Sequence, residues 1–125
     1  MEYLKGLNEA QKQAVLTVDG PLLIVAGAGA GKTKTITHRM AHMICQGILP
    51  HRVLAVTFTN KAAGEMRDRT LKLVGSLPGI SLSRPPMIAT FHSLSVRLLR
   101  ELGEKIGVPR NFVIWDRDDS MRSIK

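Results

Sequence analysis

A single cysteine and the lack of any apolar stretch long enough to cross a bilayer set the first limits on this chain of 125 residues. Cys45 has no partner for an intramolecular disulfide, which fits a reducing compartment and makes the thiol ordinary packing. The four histidines, at 38, 42, 51 and 92, follow no finger-like or ribbon-like zinc spacing with it. His38 and His42 are one helical turn apart, and a solvated helix face explains them better than a metal. The N-terminal residues Met1-Glu2-Tyr3-Leu4-Lys5 lack the apolar core of a secretory signal, so the sequence places the protein in the cytoplasm with no membrane partner. Internal repeats and low-complexity segments are absent. Acidic residues are scarce, 10 against 18 basic ones, for a formal charge of +8. That balance favours polyanions, either nucleotides alone or nucleic acid as well, although scattered cations equally describe a plain soluble surface. An apolar content of 44% suffices for one compact domain or part of a larger one.

Against these absences stands one octet. Residues 26–33 read Ala-Gly-Ala-Gly-Ala-Gly-Lys-Thr directly after the apolar run Pro21-Leu22-Leu23-Ile24-Val25. Holding a polyphosphate needs small residues that let consecutive backbone N–H groups turn inward, then a Lys for the outer phosphates, then a hydroxyl for Mg²⁺. Ala26, Gly27, Ala28, Gly29, Ala30 and Gly31 form such a cradle, with Lys32 and Thr33 as the catalytic pair and Thr33 as the metal ligand. Ala26 stands where the strict pattern has Gly. A glycine-rich linker is the bland alternative, but linkers are not framed by a buried strand and an amphipathic helix. Ile36, Met40, Met43 and Ile44 recur at helical spacing across 34–46, so the anion would sit on a helix N-terminus.

The rest of the pattern is α/β. Asn8 caps a first helix with Gln11 three positions on, a capping box, and the helix ends before Asp19-Gly20-Pro21. A strand over 21–25, the loop and its helix follow, closed by Gly47 at C′. A second strand over 53–58 makes a βαβ unit of a parallel sheet. Thr59 or Asn60 caps the next helix, whose inner face holds Ala62, Ala63, Met66, Thr70, Leu73 and Val74. After a loop rich in Gly, Ser and Pro, residues 87–90 form a third strand. His92 or Ser93 then opens a helix with Leu94, Leu98, Leu99, Leu102 and Ile106 inside, ended by Gly107-Val108-Pro109.

Hydrolysis by a phosphate loop ordinarily needs an acidic residue at a neighbouring strand end. Asp116, after the apolar run Phe112 to Trp115, is the one candidate. It reads better as the cap of a final helix, with Asp119 in its first turn, because the residue after it is Arg117 rather than a second acid. No donor motif for an arginine finger is evident. The chain thus carries the half of the machinery that binds phosphates and lacks the half that activates water.

Four segments, in order and spacing, resemble the UvrD/Rep/PcrA type of superfamily 1 DNA helicase. They are Leu7-Asn8-Glu9-Ala10-Gln11, the octet, Val56-Thr57-Phe58-Thr59-Asn60-Lys61-Ala62-Ala63 with Glu65-Met66-Arg67, and Thr90-Phe91-His92-Ser93-Leu94. The resemblance implies an α/β fold, a RecA-like P-loop NTPase with a parallel sheet flanked by helices, here incomplete. Residues 1–110 would be the first part of motor domain 1A, and 111–125 the start of an inserted helical subdomain, which favours the cap reading of Asp116. It also implies ATP and Mg²⁺ as cofactors. Single-stranded DNA, DNA junctions and the remaining helicase domains would be the partners. Gln11 would read the adenine edge, for which an amide supplies donor and acceptor together. Lys34 falls where such helicases often carry an Arg that stacks on the base, and Lys lacks the planar guanidinium. Phe58, Thr59, Asn60, Thr90 and His92 would meet single-stranded DNA, with Phe91 as packing. Movement would run 3′ to 5′, in DNA repair or replication. Two other readings stay open: a nucleotide- and DNA-binding module with no turnover of its own, and a P-loop kinase.

Overall fold

The computed structural model describes residues 2–26 and 31–114. Residues 1–90 and 91–125 form two compact units.

In the first unit, Asn8 starts helix α1 (Glu9–Leu16) as a full capping box. Its side chain accepts from Gln11 N at 2.9 Å, and Gln11 Oε1 accepts from Asn8 N at 3.0 Å. Helix α2 (Gly31–Cys45) packs between α1 and helix α3 (Asn60–Gly75). It stops in a Schellman arrangement. Gly47 takes φ +102°, Ile48 N–H donates to Met43 O and Gly47 N–H to Ile44 O, each at 3.1 Å. Strand β1 (Leu54–Thr57) then runs parallel to strand β2 (Met87–Thr90), with Leu54 opposite Met87 and Thr57 opposite Thr90. The crossover between them is α3, capped by Thr59, whose hydroxyl accepts from Ala62 N at 3.0 Å. Arg67 ties that helix to the sheet by donating to Ile88 O at 2.7 Å.

The core gathers Met40, Ala41 and Ile44 from α2 with Ala63, Met66 and Val74 from α3 against Val53, Ala55 and Ile88. Val15 and Val74 are fully enclosed, each worth about 1.5–3 kcal/mol of burial. The expected inner face of α3 is therefore the observed one, with Lys61, Arg67, Asp68 and Lys72 exposed. In the second unit, helix α4 (Phe91–Leu102) runs into a 3₁₀ turn over Gly103–Ile106, and Gly107 at φ +87° ends it. Arg100 lies 4.8 Å over the Phe112 ring.

Four sequence expectations are corrected. Residues 21–25 are not a strand: Leu23 and Val25 are 85% and 87% exposed. An apolar run becomes a strand only when a neighbour completes its ladder, and β1 is bonded to β2 alone. A groove of about 360 Å³, lined by Leu22, Ile24, Ile36 and Met40 on one side and by Leu54 and Val56 on the other, lies where that ladder would be. For the same reason Ile36 is 39% exposed. No residue of α4 is buried, and Ile106 is 75% exposed, because an amphipathic period fixes which face is apolar but not what covers it. Cys45 is exposed rather than packed. His42, expected on a solvated face, is buried, and its Nδ1 lies 2.7 Å from the Tyr3 hydroxyl with the rings 5.7 Å apart.

Burial holds the His42 imidazole below its ordinary pKa. It also raises the Tyr3 phenol, with the Cys45 thiol adding to that shift. The unfolded chain therefore takes up the His42 proton more readily than the native one, and stability falls as pH drops through the ordinary histidine range of about 6.5. His42→Gln is expected to flatten that acid limb in thermal melts across pH, and an unchanged limb would show that another group causes it. Thr70 is completely buried on α3, and its hydroxyl has no hydrogen-bond partner among the described residues. Thr70→Val removes that orphan and is expected to leave stability unchanged or raise it by about 1 kcal/mol in denaturant melts; a loss of that size would reveal a partner.

Candidate nucleotide site

Helix α2 opens at Gly31, inside the glycine-rich octet rather than after it. An α-helix leaves the N–H groups of its first turn without partners inside the helix. No acidic residue lies in this first turn, so the positive end of the helix dipole is uncompensated by a side chain. Lys32 is exposed there and Thr33 half-buried. Residues 27–30, the middle of the cradle, lie outside the described residues. So does Asp116.

A pocket of about 230 Å³ abuts this helix start. Asn8, Gln11, Ile24, Ala26, Gly31 and Thr35 contribute to its wall. It brings Gln11 to Ala26 and Gly31, the first and sixth residues of the octet, from a position fifteen residues before it begins. The approach is close: a Cβ added at Gly31 would stand 3.2 Å from Gln11 Nε2. Because Gln11 Oε1 is held by the Asn8 amide, the side chain keeps its Nε2 as the donor. Thr35 Oγ1 donates to Gly31 O at 2.7 Å, fastening the first turn from below.

Two cations of α2 grip the chain on either side of α1. Lys34 Nζ donates to Gly6 O at 2.9 Å, just before the cap. Arg39 donates through Nε and one terminal nitrogen to Thr17 O, at 3.1 and 2.9 Å, just after the last turn. Lys34, expected beside the base, is thus bonded to backbone. Sequence reasoning missed Arg39 and Gly6 as parts of this arrangement. Gly6 carries a signal in hindsight: it takes φ +81°, and a Cβ there would stand 3.2 Å from Lys34 Nζ.

The expected DNA-contacting residues fall into three groups. Phe58 and Asn60 are exposed where β1 passes into α3, Phe58 at 89%. Thr59 lies between them with its hydroxyl engaged as the α3 cap. Thr90 is buried at the end of β2, opposite Thr57. His92 is exposed on α4, in the second unit, and Phe91 is 52% exposed rather than packed.

For Mg²⁺, the Thr33 hydroxyl would be the hard oxygen ligand in the first turn of α2, and it makes no side-chain hydrogen bond among the described residues. Those residues contain no cluster of three or more histidine, cysteine or carboxylate ligands. The donor set therefore fits a magnesium carried mainly by nucleotide phosphates and water, not a caged ion.

Residues 7–125 match the UvrD/REP helicase N-terminal domain. The chain belongs to that family. It is 50% identical over 112 residues to the ATP-dependent DNA helicase PcrA of Leuconostoc citreum, covering 89% of this chain and 14% of the relative. It is 47% identical over 125 residues to the protein of that name from Bacillus subtilis, covering 99% of this chain and 16% of the relative. Against the Staphylococcus aureus protein of that name, identity is 47% over 123 residues, with shares of 98% and 16%. The chain thus spans about one sixth of the length of these relatives. The two-stranded parallel sheet and its helices accord with an incomplete α/β motor domain of this family.

The contact between Gln11 and Gly31 can be measured. Gly31→Ala is expected to gain up to about 1 kcal/mol of helix propensity in a Gln11→Ala background. It should gain less, or lose, when Gln11 is present. A double-mutant cycle by denaturant unfolding reads that difference, and additive effects would mean that the amide does not press on the helix start.

Proposed function

We propose that this chain is the nucleotide-binding part of an ATP-dependent DNA helicase, the first portion of a RecA-like motor domain 1A. The observation that carries the reading is the pocket joining Gln11 to Ala26 and Gly31 of the octet beside the start of α2, whose first turn holds no acidic residue. A polyphosphate laid there meets free amides and the Lys32 ammonium, with Gly27 to Ala30 completing the cradle. Gln11 offers Nε2 to the base, and its Oε1 has a second lone pair for a base donor while the first accepts from the Asn8 amide.

In the whole protein, Mg²⁺ held through Thr33 neutralises charge on the phosphates. ATP closes a cleft between two motor domains and hydrolysis reopens it, so that alternating grips move along a single DNA strand, 3′ to 5′, during repair or replication in the cytoplasm. Phe58 and Asn60, exposed at the end of β1, supply a stacking face and an amide to that strand, with Thr59, Thr90 and His92 as lesser contributors. Residues 111–125 begin an inserted helical subdomain. The piece itself binds ATP·Mg²⁺ and turns it over poorly, since the acidic strand-end motif and the arginine finger belong to other parts of the protein.

At a hundredfold excess over the dissociation constant, ATP·Mg²⁺ is expected to stabilise the chain by about 2.7 kcal/mol. Lys32→Ala should abolish that shift without lowering the melting point of the free protein. No shift with the unsubstituted chain would remove the nucleotide reading. Steady-state hydrolysis at an ordinary enzymatic rate, lost in Lys32→Ala, would instead overturn the assignment of turnover to other parts.

A further inference from the structure

A second concentration of positive charge lies away from the octet, in the groove between α2 and α3. The groove has a volume of about 500 Å³. Lys34 and His38 from α2 and Arg69 and Lys72 from α3 line it, over a floor that includes Thr37 and Leu73, and no carboxylate is among its lining residues. Glu65 and Asp68 stand four residues before Arg69 and Lys72, the spacing at which helical ion pairs form. Neither pair forms within 4.0 Å among the described residues. Both α3 cations thus line the groove without a carboxylate within 4.0 Å among the described residues. Lys34 spends one of its three donors on Gly6 O, and His38 Nδ1 donates to Lys34 O at 2.7 Å.

We propose that this groove holds the phosphodiester backbone of a single DNA strand, as a surface additional to the strand-end residues. The proposal rests on the reading that the parent protein handles DNA. A floor of methyl, methylene and hydroxyl groups offers little to read base edges, whereas cations from two helices facing one channel match a line of phosphates. Arg69 is nine residues beyond Asn60 along α3, about 14 Å at the helical rise. A stacked strand at about 3.4 Å per nucleotide covers that distance in roughly four nucleotides.

The test is fluorescence anisotropy with a thymidine oligonucleotide, followed through a salt series, on the 125-residue chain. Each phosphate contact to a single strand contributes about 0.7 to the log–log salt slope, so Arg69→Ala with Lys72→Ala should reduce its magnitude by about 1.4. The charge-preserving exchange, Arg69→Lys with Lys72→Arg, should keep most of it, and equal melting points of the three proteins exclude a folding effect. An unchanged slope in the double alanine variant, while Asn60→Ala weakens binding, overturns the groove and leaves the strand-end reading intact. No oligonucleotide binding by the unsubstituted chain at any salt removes both. If polyglutamate displaces the strand equally well per charge, and with the same dependence on Arg69 and Lys72, the groove is an acidic-peptide surface and the proposal fails.

Discussion

An α-helix cannot satisfy the amides of its own first turn, and the first unit is arranged around one helix whose first turn carries no acidic side chain. Helix α2 meets α1 along one flank and α3 along the other, and its apolar side supplies Met40, Ala41 and Ile44 to the core. Its far end is closed by the Gly47 turn, and its near end starts at Gly31. Leaving that end without an acidic side chain forgoes about 0.3–1 kcal/mol of dipole stabilisation. Burial along the rest of the helix outweighs that several times over. A helix anchored so firmly elsewhere can hold its start ready for an anion that is not part of the chain.

Much of this was legible in the amino-acid order because it depends on neighbours in sequence. The Asn8–Gln11 box, the Thr59 cap, the Gly47 stop and the inner face of α3 are all decided within one or two helical turns. Each was recovered with its chemistry. Helix boundaries slipped by a few residues at Gly31 and Phe91, where the backbone turns helical before the side-chain period declares itself. The nucleotide pocket was half legible. The octet announces phosphate chemistry, but that Gln11 presses on Gly31 depends on how α1 lies against α2, which no local pattern encodes.

The failures share one cause. Residues 21–25 have the composition of a buried strand and yet expose Leu23 and Val25, because strand character belongs to a ladder and not to a segment. The leucines of α4 likewise mark an apolar face on which Leu94 and Leu99 are only half-buried and Leu98 and Leu102 exposed. His42 erred in the opposite direction: a histidine at helical spacing looked solvated, while Tyr3, thirty-nine residues earlier, covers it. In each case the missing fact was a long-range partner. A charge pattern has the same limit, since the groove between α2 and α3 collects cations from positions that look scattered along the chain.

The paired grips of Lys34 and Arg39 on Gly6 and Thr17 make α1 a passenger of α2. A short helix of eight residues would fray alone, yet here it is clamped before its cap and after its last turn. The two helices are thereby joined by separate fastenings at either end of α1. Loosening one clamp frees one end of the short helix while α2 keeps its seat in the core.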